Sequence, residues 1–177
     1  GIVAAIPIAE VYRLVHAFKE GALSVNPAVK VKVAYIGSWF DPPKAKEATL
    51  AQIEAGADLI FAERFGVFEA AKEKGILAFG NMMDQHDLAP EVVITGPVWN
   101  MGPTVRHCID EVRSKEWKAG DLREWSMMAR GGAYLAPFHE FQQKLPPEVL
   151  KEIREMEAKI MNGQFTVPII ETELKTD

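Results

Sequence analysis

Residues 31–43 read VKVAYIGSWFDPP, and this stretch decides the fold because a strand pattern passes there through a turn into a helix pattern. Apolar residues alternate with others from Val31 to Tyr35, which is typical of a β-strand. Gly37 ends the alternation, and Pro42 suits the first turn of a helix, where no amide hydrogen is needed. We therefore predict a strand, a short loop and a helix in this order.

The loop between this strand and helix carries Trp39, Phe40 and Asp41. In open α/β sheets, ligands bind beyond the carboxyl ends of the strands, where this loop is expected. A flat aromatic surface beside a carboxylate suits a planar heterocycle that donates hydrogen bonds. Stacking of one base contributes about 1 to 3 kcal/mol, and a hydrogen bond to a charged acceptor contributes about 1.5 to 3 kcal/mol. The alternative is structural: the rings pack under the helix, and Asp41 caps its first turn.

The first 96 residues repeat this alternation of strand and helix patterns. The predicted strands are residues 2–6, 30–36, 57–62, 76–80 and 92–95, and the predicted helices are residues 8–26, 43–55 and 65–74. Repeated βα units predict a mostly parallel sheet that is flanked by helices on both faces. The predicted fold class is therefore α/β.

The pattern changes at Gly96 and Pro97, where we predict a hinge. Beyond the hinge we predict a helix at residues 103–114, a strand at 125–129, a glycine turn at 131–132, a helix that begins at 146–147 and a closing strand at 165–170. Trp99 and Asn100 lie in the proposed hinge, where a protein with a ligand cleft places ligand contacts. Packing at an interface is the other interpretation of this pair.

Two further loops at the expected sheet edge carry candidate ligand contacts. Phe65 follows the third strand beside Arg64, and it either forms the second face of an aromatic sandwich or begins a helix core with Phe68. Asp84 clusters with His86 after the fourth strand, as polar ligand contacts or as part of a solvated loop. Because this cluster has few ligands and no second His or Cys at a suitable spacing, we predict no metal site.

Composition and missing motifs bear on several functional classes. The chain has 177 residues, of which 48% are apolar and 25% charged, and its net charge of −5 is unfavourable for a nucleic-acid partner. No apolar run approaches the roughly 20 residues of a membrane-spanning helix. Residues 6–10 read IPIAE, with neither the dinucleotide-binding nor the P-loop glycines, and we predict no cofactor. No combination of nucleophile, base and orienting residue indicates a reaction, and we predict no catalytic residue.

Several segments occur in an order that a generic α/β domain would not reproduce. They include GIVAAIPIAEV at residues 1–11, NPAVKVKVAYIGSWFDPP at 26–43, GVFEAAKEKGILAFG at 66–80, DQHDLAP at 84–90 and GGAYLAPF at 131–138. With these segments the sequence resembles the basic membrane protein family of ABC-transporter substrate-binding lipoproteins, a group that takes up purine nucleosides and related compounds. The likeness runs over nearly the whole chain.

The resemblance implies a type I periplasmic-binding fold, in which two α/β lobes hold the ligand between them. Family members are considerably longer. We therefore expect residues 1–98 to be the second lobe, residues 99–177 to form the hinge return and a C-terminal segment shared between the lobes, and most of the first lobe to be missing. The implied function is that of an extracytoplasmic solute-binding subunit of an ABC importer.

The partners implied by the resemblance are a small purine-like ligand and the permease subunits of the importer. A lipid anchor outside this chain would attach the protein to the membrane, in the periplasm or at the cell surface. The side chains expected to bind the ligand are Trp39, Phe40, Asp41, Phe65, Asp84, Trp99 and Asn100.

The sequence departs from the family pattern at two places that concern the ligand. Nucleoside-binding members commonly have a Lys and an Asp in the hinge segment, whereas residues 98–102 read VWNMG. Ala129 and Arg130 stand where Lys-Glu is common. Loss of groups that hold a ribose favours a free purine base or another small heterocycle as the ligand. A ligand-sensing regulatory protein on the same fold is the alternative function, and an α/β enzyme is a third.

Overall fold

The computed structural model describes residues 1–174. Residues 1–96 and 167–174 form one compact unit, here called unit 1, and residues 97–166 form a second, called unit 2. Among the described residues, no helix is both long and apolar enough to cross a lipid bilayer.

Unit 1 is built on a parallel sheet of four strands in the order β2-β1-β3-β4. The strands are β1 (Ile2–Ala4), β2 (Val33–Tyr35), β3 (Leu59–Ala62) and β4 (Leu77–Phe79), and the helices are α1 (Ala9–Val25), α2 (Pro42–Glu54) and α3 (Val67–Lys74). Strand β1 lies in the middle, so that Ile2 pairs with Val33 on one side and with Phe61 on the other. The predicted α/β class with a parallel sheet is confirmed.

Helices cover both faces of this sheet because successive residues of a strand point to opposite faces. Ile2 packs in one apolar cluster with Val15 of α1. Its neighbour Val3 packs in the other cluster, with Ala45 of α2 and Phe68 of α3. The two clusters together form the core of unit 1, one on each face of the sheet.

The fifth predicted strand, residues 92–95, runs beside β4 but is not a strand. Val93 forms one isolated parallel bridge with Ala78, and the N–H of Ile94 donates to the Ala78 carbonyl at 3.0 Å. The chain reaches Pro97 soon afterwards, and proline has no N–H with which to extend a ladder. The prediction is therefore right about the position of this segment and wrong about its extent.

Unit 2 contains an antiparallel pair of short strands and two helices. The strands are β5 (Pro97–Trp99) and β6 (Ala133–Leu135), the helices are α4 (Gly102–Ser114) and α5 (Pro147–Met161), and 3-10 turns occupy Arg123–Ser126, Met128–Arg130 and His139–Gln143. The two predicted helices are confirmed. Neither α4 nor α5 has a fully buried residue, so their apolar stripes are partly exposed.

The strand predicted at residues 125–129 is wrong, because this segment forms two 3-10 turns. The indole of Trp125 stacks on the His107 ring, with ring centroids 4.1 Å apart, which draws the segment against α4 rather than into a sheet. Gly132 packs directly against the Trp125 carbonyl, where a side chain would not fit. The strand begins only after this contact, at Ala133.

The closing strand predicted at residues 165–170 is also wrong, since these residues adopt no regular structure. An alternating apolar pattern becomes a strand only where a neighbouring strand pairs with it. The next residues, Glu171 and Thr172, belong to unit 1 and are bound by side chains of α1. Arg13 Nε donates to Glu171 Oε1 at 2.7 Å, and His16 Nε2 lies 2.9 Å from the Thr172 carbonyl oxygen.

Candidate functional site

Four loops meet at the carboxyl edge of the unit 1 sheet, because β1 to β4 are parallel and end on the same side. These loops are residues 5–8, 36–41, 63–66 and 80–84, and each directly follows a strand. We call this surface the aromatic edge, because it carries three partly exposed aromatic side chains, Trp39, Phe40 and Phe65. It is the place where an open α/β sheet binds its ligands.

The loop after β2 presents its aromatic side chains to the surface. Trp39 is 47% exposed and Phe40 is 70% exposed, so neither ring is packed under α2. The hydroxyl of Ser38 accepts a hydrogen bond from the Phe40 N–H at 3.2 Å and fixes the turn locally. The structural interpretation of these rings, packing under the helix, is therefore wrong, and their contact with a ligand stays a prediction.

Asp41 caps helix α2. Its Oδ1 accepts the backbone N–H of Lys44 at 3.1 Å, and Pro42 occupies the first helical position. Asp and Pro are favoured at these two positions because the first amide groups of a helix have no partner within it. The structural interpretation of Asp41 is thus observed, and its contact with a ligand stays a prediction.

Phe65 belongs to the aromatic edge and not to the core. Its ring centroid lies 6.3 Å from that of Phe40, with an angle of 59° between the planes, whereas Phe68 is buried in the core of unit 1. Between them, Gly66 has a φ of 106° and lies against the backbone of Pro42, so that any Cβ would overlap it. This close approach brings the loops after β2 and β3 together.

An ion pair that the sequence analysis did not single out lies beneath the aromatic rings. Glu63, directly after β3, is only 2% exposed, and its Oε2 accepts the backbone N–H of Ala5 at 2.9 Å. The guanidinium of Arg64 binds both oxygens of this carboxylate, with Nε at 2.9 Å from Oε2. Burial raises the pKa of Glu63 above its ordinary value, and the hydrogen bond from Arg64 lowers it in part.

The loop after β4 completes the edge. Asn81 is 2% exposed; its N–H donates to Gln85 Oε1 at 2.8 Å and its Nδ2 donates to the Glu63 carbonyl at 3.4 Å. The Asn81 Oδ1 atom is buried without a hydrogen-bond partner among the described residues. Asp84 is exposed, and its Oδ1 accepts the N–H of His86 at 3.1 Å. Asp84 thus forms a local turn at this edge, and its contact with a ligand stays a prediction.

The two remaining predicted site residues, Trp99 and Asn100, belong to unit 2. Trp99 ends β5 and is 40% exposed. Asn100 has a structural role there, since its Nδ2 donates to the Gly131 carbonyl at 2.9 Å and its Oδ1 accepts the N–H of Gly102 at 3.1 Å. These bonds join the start of α4 to the glycine turn before β6.

Metal ligands do not cluster in the described chain. Within residues 1–174, no group of three or more His, Cys, Asp or Glu side chains is arranged to hold a metal ion. The aromatic edge itself offers a stacking surface, at Trp39, Phe40 and Phe65, and carboxylate or amide hydrogen-bond acceptors.

A sequence model of the family described as ABC transporter substrate-binding protein, PnrA-like (Bmp), matches residues 1–171 of the chain. The chain belongs to this family. The resemblance that the sequence analysis found to the basic membrane proteins is thus confirmed. Members of this family are substrate-binding proteins of ABC transporters. The exposed rings of the aromatic edge are consistent with that class of protein.

Two curated relatives are more than 30% identical to this chain over the aligned residues. A purine-binding protein of Brucella abortus is 34% identical over 174 residues, which is 96% of this chain and 48% of the relative. A putative ABC transporter glucose-binding protein of Haloferax volcanii is 31% identical over 94% of this chain and 42% of the relative. The chain thus spans about half the length of the curated relatives it matches.

A solved structure shows the same fold. The solute-binding protein of an ABC transporter system from Aeropyrum pernix superimposes with a TM-score of 0.73 at 16% sequence identity, covering 95% of this chain and 57% of that structure. At this level of identity, the likeness concerns the fold alone.

Proposed function

We propose that the chain is part of the solute-binding subunit of an ABC importer, and that its aromatic edge binds a purine base or a similar planar heterocycle. The observation that carries this proposal is the exposure of three aromatic rings, Trp39, Phe40 and Phe65, at the carboxyl edge of a parallel sheet. Exposed apolar patches with a polar rim mark binding surfaces. The purine-binding relative in Brucella abortus supports the ligand class.

Stacking alone does not provide useful affinity. A micromolar ligand requires about 8 kcal/mol, and stacking of one base contributes about 1 to 3 kcal/mol. We therefore assign hydrogen bonds from the ligand to Asp41 and Asp84 of unit 1. The ligand contacts expected of Trp99 and Asn100 stay predictions from the sequence. In this proposal the aromatic edge is one wall of a cleft between two lobes, and the ligand shifts the protein toward the closed state that the permease subunits recognise.

The proposal favours a base over a nucleoside, because residues 98–102 lack the Lys and Asp, and residues 129–130 lack the Lys-Glu, that the family resemblance leads us to expect in nucleoside-binding members. It also includes release of the ligand unchanged, with no catalysis. The location proposed is extracytoplasmic, with attachment to the membrane through a lipid anchor outside this chain.

Calorimetric titration of the purified protein with adenine, guanine, adenosine, guanosine and glucose tests the proposal. We expect heat from the bases, less or none from the nucleosides, and none from glucose. Trp39→Ala is expected to weaken binding of the base by about tenfold or more, because it removes a stacking surface. Trp117→Ala, which removes a similarly exposed indole in unit 2, serves as the matched control and should bind like the wild type.

Three results count against this function. Binding of glucose without binding of a base rejects the purine class, and stronger binding of nucleosides rejects the argument from the missing ribose contacts. Equal affinity of Trp39→Ala and the wild type for adenine shows that the aromatic edge is not the site. Recovery of chemically altered ligand after incubation contradicts the proposal that the protein only binds.

A further inference from the structure

We infer that Glu63 and Arg64 form a positioning pair that fixes the indole of Trp39 in place as a stacking surface. The inference rests on the proposed function only for the identity of the stacked ligand. The position of the ring itself follows from contacts among described residues of unit 1. Neither charged residue needs to touch the ligand for this role.

The pair is anchored at the end of two neighbouring strands. Glu63 follows β3, and the backbone N–H of Ala5, which follows β1, donates to its Oε2 at 2.9 Å. The Glu63 side chain is 1% exposed, so water does not compete for this bond. The carboxylate therefore has a fixed position relative to the sheet.

The carboxylate in turn fixes the guanidinium of Arg64. Arg64 Nε donates to Glu63 Oε2 at 2.9 Å and to the Glu63 carbonyl at 2.8 Å, while Nη2 binds Oε1. Two parallel bonds between a guanidinium and a carboxylate define the plane of the guanidinium as well as its distance. The Arg64 side chain is only 12% exposed.

This fixed guanidinium contacts Trp39 in two ways. Its Nη1 donates to the Trp39 carbonyl at 3.1 Å, which holds the loop backbone. Its Cζ lies over the indole ring, 5.3 Å from the ring centroid, which is within the range of a cation–π contact. Trp39 nevertheless remains 47% exposed. One contact thus holds the backbone, the other holds the ring, and part of the indole stays open to a ligand.

A stabilising role alone does not explain this arrangement. A buried ion pair contributes little to the free energy of unfolding, because the cost of taking both charges out of water offsets most of their electrostatic attraction. What the Glu63–Arg64 pair does in addition is orient a third residue, Trp39. One guanidinium contacts both the carbonyl and the ring of Trp39. Lysine would keep the charge but could not make two bonds to the carboxylate while it covers the ring and reaches the carbonyl.

Fluorine NMR of protein labelled with 5-fluorotryptophan tests this role without any ligand. The chain has four tryptophans, and Trp39→Phe identifies the Trp39 resonance. We expect Arg64→Lys to shift and broaden that resonance and to leave the other three in place. The matched control is Arg13→Lys, which alters the exposed ion pair between Arg13 of α1 and Glu171 and should leave all four resonances unchanged.

Adenine titration of the same proteins connects the position of the ring to binding. We expect Arg64→Lys to bind adenine about tenfold more weakly, a change comparable to the loss of one stacking contact, and Arg13→Lys to bind like the wild type. If Arg64→Lys disturbs all four resonances and therefore the fold, Glu63→Gln replaces it. This neutral variant keeps the volume of the side chain, and we expect it to move the Trp39 resonance selectively.

An unchanged Trp39 resonance in the folded Arg64 or Glu63 variant overturns the inference. Unchanged adenine affinity despite a shifted resonance also overturns it, because the position of the ring would then not matter for stacking. Failure of the wild type to bind any purine has a different meaning. It rejects the proposed ligand, whereas the fluorine spectra still decide whether the ion pair positions the ring.

Discussion

At the scale of single residues, the phenol of Tyr35 has a pKa well above its ordinary value. It lies on β2, edge-on to Tyr12 with ring centroids 6.1 Å apart. Burial, together with the nearby Tyr12 and Glu173, raises the pKa of Tyr35 from 10.0 to about 12. Between these two pH values the native protein keeps a proton that the unfolded chain releases, so the free energy of unfolding must fall as the pH rises through this window.

Spectrophotometric titration of the phenolate absorbance checks this prediction. We expect a phenolate transition near pH 12 in the native protein, and Tyr35→Phe should remove it. Urea unfolding of the wild type at pH 9 and pH 11 should show lower stability at the higher pH, and Tyr35→Phe should show a smaller difference. A transition near 12 that survives in Tyr35→Phe contradicts the assignment.

The aromatic residues of the site could be predicted from the sequence, whereas the charged pair beneath them could not. Trp39 and Phe40 follow a strand pattern within one short segment, so local spacing places them at the sheet edge. The environment of Glu63 depends on Ala5, which is 58 residues away in the chain. No local sequence pattern predicts that contact. The one feature of the sequence that points to the pair is a charged dipeptide, Glu63-Arg64, directly after an apolar strand.

At the scale of elements, the start of helix α2 separates two roles of Asp41. Asp41→Ala removes the side chain that caps the helix, and we expect it to lower the free energy of unfolding by about 1 kcal/mol. Asp41→Asn keeps an oxygen acceptor at the cap and should stay near wild-type stability. Because it removes the charge, we expect it to weaken adenine binding if the carboxylate accepts a hydrogen bond from the ligand.

Urea unfolding and calorimetric titration of both variants measure the two roles separately. Wild-type stability of Asp41→Ala would show that the cap contributes nothing measurable. Wild-type adenine affinity of Asp41→Asn would remove Asp41 from the set of ligand contacts and leave it as a cap.

Sequence periodicity predicts the repeated strands and helices of unit 1. The strand predictions that were wrong are those where a strand forms only if another segment pairs with it. Strands β1 to β4 and the helices between them were predicted because their apolar patterns agree with their burial on both sides of one sheet. Segments 125–129 and 165–170 have similar patterns but form no ladder with a strand. Segment 92–95 lies beside β4 but forms only an isolated bridge with it before the chain reaches Pro97. Strands β5 and β6 were missed because their pairing joins segments that are far apart in the chain and no apolar alternation marks either one.

At the scale of the whole molecule, burial is unevenly distributed between elements. Strands β1 and β3 contain residues that are completely buried, such as Ile2 and Ile60, whereas α4 and α5 contain no buried residue. Local opening requires less free energy where few apolar contacts are lost. We therefore expect backbone amides of α4 and α5 to exchange with deuterium at least about tenfold faster than those of β1 and β3.

Hydrogen exchange followed by mass spectrometry measures this difference on peptides from each element. Peptides that contain α3, a short helix with buried Val67 and Phe68, provide the control for helical structure as such and should exchange slowly. Equal protection of α4 and β3 would show that the partly exposed helix is stabilised by contacts that its burial does not reveal.

The family could be predicted from the order of segments over the whole chain, and the match to residues 1–171 confirms it. The division into a second lobe at residues 1–98 and a shared segment at 99–177 stays a prediction, as does the regulatory alternative. The ligand is not fixed by the family, because one relative is described as purine-binding and another as a putative glucose-binding protein. The fold alone therefore does not decide the ligand.

The contact of Gly66 with the backbone of Pro42 has a consequence for how such a protein can change its ligand over evolution. Because main-chain atoms meet there, the spacing between the loops after β2 and β3 requires glycine at position 66 and does not depend on the rings at positions 40 and 65. Rings at positions 40 and 65 can be exchanged for polar or smaller groups while the frame that presents them stays the same. The backbone of these two loops can therefore stay the same while their side chains change, so that a new specificity requires new side chains and no new backbone.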